Sequence, residues 1–234
     1  MEKIIKLTIV NLITIVRLIG AIILPFVYIK HGANITSIYI IILYLTDAID
    51  GFLARTLKVS TFFGSAMDAG SDKLLNAVSF IILGIEYNIM LAPLAIEIAI
   101  MYTSYNTYRY GGNVQSTIKG KIKMVVLSVF VILSFALLSL PALKINSTFI
   151  NKLMGATDLI IHIFAFLILF ACLVALFDYI NLNKLARLNP KSDEIKLEKK
   201  KKKTFKQVLH DLFDTDYYKK HKDESIIKQF YIKN

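Results

Sequence analysis

The sequence predicts an all-α integral membrane protein, with six transmembrane helices, both termini cytoplasmic, and a basic cytoplasmic C-terminal tail that contains a short amphipathic helix. Three observations carry this prediction. Of 234 residues 56% are hydrophobic and the mean hydropathy is +0.58, which is too apolar for an ordinary soluble domain or a disordered chain. Six segments approach the roughly 20 apolar residues that a membrane-crossing helix needs. Charge is also uneven: residues 1–180 hold 13 basic and 9 acidic side chains, whereas residues 181–234 hold 15 and 8.

The first span, 8–29, follows Lys3 and Lys6 as a secretory leader would. Arg17 interrupts it and no small-x-small cleavage site follows, so it is read as a retained membrane helix. His31-Gly32-Ala33-Asn34 forms a turn before the second span, 35–55, and Ser60 to Ser65 a loop before the third, 68–86. The fourth, 90–109, ends at Gly111-Gly112-Asn113; the fifth, 121–142, and sixth, 157–180, flank a connection from Lys144 to Gly155. Lysine and arginine favour cytoplasmic loops. With the N-terminus inside, the inner loops collect Lys3, Lys6, Arg55, Lys58, Arg109, Lys119, Lys121 and Lys123, and the outer ones only Lys30, Lys144 and Lys152. Cys172, the single cysteine, lies in an apolar run and reads as a small buried hydrophobe.

Residues 1–187 are thus expected to form a six-helix transmembrane domain, and 188–234 a lysine-rich cytoplasmic tail. The tail opens with a five-lysine run, Lys199 to Lys203. Phe205, Val208, Leu209, Leu212, Phe213 and Tyr217 then recur at helical spacing. That face, beside the lysines, suits an anionic membrane surface. The excess charge is assigned to the bilayer, and no nucleic-acid partner is expected.

Ionisable residues within membrane segments are costly and mark function by default. Asp47 and Asp50 are spaced i, i+3, and Asp68 and Asp72 i, i+4, so each pair shares a helix face. A loop of about a dozen residues would return the chain between them at one depth. Clustered carboxylates need compensating charge, from basic side chains or cations. All-oxygen donors select Mg²⁺ or Mn²⁺, with Ca²⁺ a relative, over zinc. Facing pairs suit a site for two divalent ions that clamps phosphate oxygens. Gly51, Ala54 and Gly64 leave room for close approach, and Arg55 offers a planar fork for phosphate. On the fourth span Glu97, Met101, Ser104, Tyr105 and Tyr108 share one side, expected to face the cavity. Asp158 and His162 read as a structural i, i+4 pair near the outer surface.

The run Asp47-x2-Asp50-Gly51-x2-Ala54-Arg55-x8-Gly64-x3-Asp68-x3-Asp72 resembles the complete motif of the CDP-alcohol phosphatidyltransferases, with every spacing kept. The resemblance covers 8–180 and implies six membrane helices in a homodimer of the cell membrane, the site facing the cytoplasm. It implies that Asp47, Asp50 and Asp68 ligate divalent metal, and that Asp72 is the catalytic base and a further ligand. Gly51, Ala54, Arg55 and Gly64 would frame the CDP-linked lipid. The implied reaction transfers a phosphatidyl group from CDP-diacylglycerol to the hydroxyl of a polar alcohol and releases CMP.

Asn11-Leu12-Ile13-Thr14-x2-Arg17, Asp72-Lys73-Leu74-Leu75 and Gly120-Lys121-Ile122-Lys123 are similar to the bacterial phosphatidylglycerophosphate synthases, which points to glycerol 3-phosphate as acceptor. Ile96 and Ser104 stand where that branch has arginines, so inositol phosphate, serine and phosphatidylglycerol stay open as acceptors. Arg17, Arg109, Lys121 and Lys123 are the candidate acceptor-binding cations. An intramembrane prenyltransferase would need a second aspartate-rich motif. A membrane cation carrier would not need Gly51, Arg55 and Gly64.

Overall fold

The computed structural model describes residues 2–57, 60–110, 117–145, 147–188 and 203–221. Among these the only regular structure is helical. The long helices are α1 (Glu2–Leu57), α2 (Phe62–Glu86), α3 (Leu91–Arg109), α4 (Ile118–Ser139) and α6 (Thr157–Leu188). Between the last two lies the short α5 (Thr148–Gly155), and in the tail follow α7 (Phe205–Phe213) and α8 (Thr215–His221).

Helix α1 is two arms joined at Gly32, whose φ of 66° and ψ of −169° suit glycine alone. The bend falls in the turn expected at residues 31–34. It folds the arms against each other, so positions about equidistant from Gly32 meet. The Tyr39 hydroxyl donates to the Gly20 carbonyl over 3.2 Å, and a Cβ on Gly20 would lie 2.5 Å from Leu43 Cδ2. Gly20 is therefore the point of close approach within this hairpin.

Helix α1 packs mainly on α2 and α4, while α3 and α4 both pack on α6. The core between them is a continuous apolar column including Leu24, Leu43, Phe80, Leu127, Phe135 and Ile168. Cys172 is buried within it. Large apolar side chains also cover the outside, among them Phe26, Ile29, Phe166, Phe170 and Phe177. Such a surface suits lipid and not water.

Among the described residues, four helical stretches are long and apolar enough to cross a membrane: Lys6–Leu53, Asn88–Thr107, Ile118–Leu143 and Thr157–Leu188. Helix α2 is not among them; Asp68, Asp72, Lys73 and Glu86 fall within its length. The expected loop before the third span is also shorter than the sequence suggested. Helix α1 continues to Leu57, and Thr61 caps α2 by accepting the Gly64 N–H at 3.1 Å, which starts the helix at Phe62.

The tail helix α7 carries a capping box, in which the Gln207 side chain accepts the Thr204 N–H at 3.0 Å. Its inner face lies on α2: Phe213 stacks on Phe63 with ring centroids 4.5 Å apart, and Val208 is buried. Lys203 binds Asp211 at 2.5 Å and the Tyr217 hydroxyl at 3.2 Å. Burial works against the Lys203 ammonium, but these bonds outweigh it and raise its pKa above the ordinary lysine value. Four of the five lysines in the Lys199–Lys203 run lie outside the described residues.

Candidate functional site

The hairpin brings Arg17, on the first arm, level with Asp47, on the second. Helix α2 runs back along the second arm, fixed by a 2.6 Å bond from the Tyr44 hydroxyl to Asn76 Oδ1. This sets Asp68 and Asp72 beside Asp47. Carboxylate oxygens of the three aspartates all lie within 4.8 Å of one another. The expectation that the two acidic faces meet at one depth thus has a geometric basis in two antiparallel contacts. Asp50, Ala54 and Arg55 lie on the same arm, with side chains outside the described residues.

Arg17 is completely buried behind this cluster. Its guanidinium bonds to Asp47 and Asp68 and lies 3.2 Å from Asp72. It also donates to Ser71 Oγ, from Nε at 3.0 Å and from Nη2 at 2.8 Å. The Ser71 hydroxyl in turn donates to the Asp68 carbonyl at 3.0 Å. Arginine's planar fork suits such multiple contact, which a lysine could not reproduce. The three carboxylates outnumber the one guanidinium that meets them all; together with all-oxygen donors, that excess of acidic groups fits a divalent ion, so Asp47, Asp68 and Asp72 could hold a metal.

The aspartates open onto a cavity of about 970 Å³ at the end of the bundle where α1 meets α2 and α3 turns to α4. Its wall draws Asn11, Thr14, Tyr44, Asp47 and Gly51 from α1, and Gly64, Asp68, Asp72 and Lys73 from α2. Glu97, Ile100 and Ser104 come from α3, Lys121 and Lys123 from α4, Tyr179 from α6, and Tyr218 from α8. Gly64 is tightly placed: a Cβ there would meet Asn11 Oδ1 at 3.0 Å and Thr61 Oγ1 at 3.2 Å. A volume of this size accommodates a nucleotide together with a small polar molecule.

The cations proposed from sequence separate by position. Lys121 and Lys123 stand on the wall; Lys123 is buried and ion-paired with Glu97, whose carboxylate also lies 3.8 Å from Cys172 Sγ. Arg17 sits behind the aspartates, and neither it nor Arg109, exposed at the end of α3, is on the wall. Lys119 is bound to Asp178 at 2.9 Å.

The face expected for α3 needs correction. Glu97 and Ser104 do line the cavity, but Met101 and Tyr105 point outward, Tyr105 being 58% exposed. The inner stripe is Glu97, Ile100, Ser104 and Thr107, the last accepting from Asn183 Nδ2 at 3.1 Å. In a helix apolar on every side, tyrosines suit the lipid interface as well as a cavity, so polarity did not mark the inner face. Tyr108 has a side chain outside the described residues. Asp158 and His162 are adjacent as expected, but the imidazole contacts the Asp158 carbonyl while the carboxylate accepts from Tyr87.

Sequence reasoning missed Ser71 and Tyr218. Ser71 follows Asp68 by three residues, on the aspartate face, so helical spacing could have found it. No local signal marks Tyr218, which depends on how the tail docks.

The model for CDP-alcohol phosphatidyltransferases matches residues 7–177. The chain is similar to the CDP-diacylglycerol–glycerol-3-phosphate 3-phosphatidyltransferase of Wigglesworthia glossinidia brevipalpis, 36% identical over 83 residues, which are 33% of this chain and 45% of that protein. The protein of that name from Yersinia enterocolitica is 32% identical over 83 residues, covering 36% and 44%. The chain thus spans less than half the length of these curated relatives. No solved structure gives a significant match.

Proposed function

Since the chain belongs to the CDP-alcohol phosphatidyltransferase family, we propose that it transfers a phosphatidyl group from CDP-diacylglycerol to glycerol 3-phosphate and releases CMP. The observation that carries this reading is the convergence of Asp47, Asp68 and Asp72 with Gly51 and Gly64 on one large cavity. Those are motif positions contributed by two helices, α1 and α2, that pack side by side.

Asp47, Asp68 and Asp72, with Asp50, would hold one or two Mg²⁺ or Mn²⁺ ions. Bound there, the metal would neutralise charge on the pyrophosphate. Gly51, Ala54, Arg55 and Gly64 would frame the cytidine and pyrophosphate, the missing Cβ at Gly64 leaving room between Asn11 and Thr61. The acceptor oxygen attacks the phosphorus that carries the diacylglycerol. Its bond to the CMP oxygen breaks, and Asp72 takes the hydroxyl proton. Lys121 and Lys123, both on the cavity wall, would receive the acceptor's phosphate. Arg17, buried against three carboxylates, acts as a positioning residue for them.

Six crossings are proposed for the chain. At 1.5 Å per residue the 48-residue stretch Lys6–Leu53 is more than twice as long as the hydrocarbon layer is thick, and it folds back at Gly32. Helix α2, packed along it, would make the third crossing, its acidic end at the cavity. The loop cations put the site and both termini at the cytoplasmic face of the cell membrane. The division into a catalytic domain, 1–187, and a tail, 188–234, and a homodimeric assembly belong to the same proposal.

Purified protein incubated with CDP-diacylglycerol, Mg²⁺ and a panel of alcohols tests the reading. CMP release with glycerol 3-phosphate, giving a lipid of phosphatidylglycerophosphate mass, is expected. Reaction only with inositol phosphate, serine or phosphatidylglycerol would overturn the acceptor, and no CMP with any alcohol the reaction.

A further inference from the structure

The tail lies beyond the residues that match the family, which end at 177, yet α8 supplies part of the cavity wall. Tyr218 stands on that wall and packs edge-on against Phe62, with ring centroids 5.0 Å apart. Phe62 opens α2, between the cap residue Thr61 and Gly64, and both of those also line the cavity. Tyr218 is therefore joined to the side of the cavity formed by the start of α2 and by Asn11. Lys121 and Lys123 enter on α4.

Two ring contacts hold the tail helices on α2: Phe213 stacks on Phe63, and Tyr217 lies edge-on to Phe62 with centroids 6.2 Å apart. Within the tail, Lys203 bonds to Asp211 and Tyr217 and so ties α7 to α8. On the apolar face of α7, Val208 is buried, while Phe205, one turn earlier on that face, is 76% exposed.

We propose that α7 and α8 form a cap over the donor side of the cavity, and that the Tyr218 ring contacts the cytidine of the CDP-linked lipid. This rests on the assignment of Gly64 and its neighbours to the donor. An aromatic ring beside a floor of small residues suits a nucleobase, because stacking needs only the base's π-face. Phe62, edge-on to Tyr218, fixes the ring in place. Tyr218 is thus a donor-binding residue that the catalytic motif does not contain, and the tail sets affinity for the nucleotide end of one substrate.

The test uses full-length protein in detergent, comparing CDP affinity by calorimetry and the two KM values by CMP release. Tyr218→Ala should weaken CDP binding and raise the donor KM about tenfold, with the glycerol 3-phosphate KM within twofold. Tyr218→Phe, which keeps the ring, should restore donor affinity. Phe213→Asp, which undocks α7 without touching the cavity, should reproduce the donor defect. Phe205→Ser, at the exposed first residue of α7, should leave both KM values at the wild-type level. Unchanged donor affinity in Tyr218→Ala overturns the proposal while wild-type turnover leaves the reaction standing. Equal losses for both substrates, or a donor defect in Phe205→Ser, overturn it in favour of a structural or membrane-anchoring tail. Absence of CDP binding and CMP release in the wild type overturns both readings.

Discussion

Replacement of Arg17 by methionine separates a charge-holding role from simple packing, because an unbranched apolar stem is kept while the guanidinium is lost. Removing one partner of a buried ion pair costs about 3–5 kcal/mol when the remaining charge stays buried. Here Asp47, Asp68 and Asp72 retain 39%, 45% and 25% exposure, so solvent screens part of the repulsion and about 2–3 kcal/mol is expected. For a chain of this size that corresponds to a fall of roughly 5–10 °C in the melting midpoint. Cys172, the only cysteine and fully buried, makes the measurement direct: a thiol-reactive fluorophore labels it only on unfolding. CMP release should fall by on the order of a hundredfold, the loss that a displacement of about 1 Å produces in catalytic groups. Arg17→Lys should recover little, since an ammonium cannot serve three carboxylates and Ser71 together. Mg²⁺ should restore part of the lost midpoint in Arg17→Met by supplying the missing positive charge. A midpoint within about 1 °C of wild type, with CMP release within twofold, would refute the positioning role.

Further consequences can be checked in the same assays. Asp72→Asn should abolish CMP release while the Cys172 labelling midpoint stays near wild type, and a chelator should stop the wild-type enzyme until Mg²⁺ or Mn²⁺ is returned. Gly64→Ala should raise the donor KM about tenfold, because the new Cβ presses on Asn11 and Thr61, and should leave the acceptor KM unchanged. Lys123→Met should lower the midpoint by stranding Glu97 in a buried position; adding Glu97→Gln should recover stability without recovering affinity for glycerol 3-phosphate.

What the sequence made legible were features set by local periodicity and length. The arms of α1, the turn at Gly32 and the shared face of Asp68 and Asp72 follow from residues a few positions apart. The partner of Arg17 did not follow, because it depends on which helices lie side by side: Asp47 is 30 residues away and Ser71 is 54. The inner face of α3 was misjudged for a related reason. Its lipid-facing side carries tyrosines as polar as the residues in the cavity, so only contact with α6 selects between them. The tail showed the same limit, since helical spacing identified an apolar face on 205–213 but not whether lipid or Phe62 and Phe63 would cover it.

The position of Arg17 also bears on how this site tolerates its own charge. A carboxylate cluster that depended on metal alone would repel itself whenever the metal was absent, and the packing of α2 on α1 that creates it would be weakest at the moment of assembly. A guanidinium buried on the first arm, bonded to the second arm and to α2, ties the three segments together before any ligand arrives. The same carboxylates line the cavity and outnumber that guanidinium, so the fold is held by one cation while the site keeps its demand for another. On this argument metal affinity and hairpin stability are coupled through Arg17, and Arg17→Met should bind Mg²⁺ more tightly even as it folds less well. Weaker Mg²⁺ binding in that variant, measured by calorimetry on protein that is still folded, would show that Arg17 shapes the carboxylates for the metal more than it competes with it for their charge.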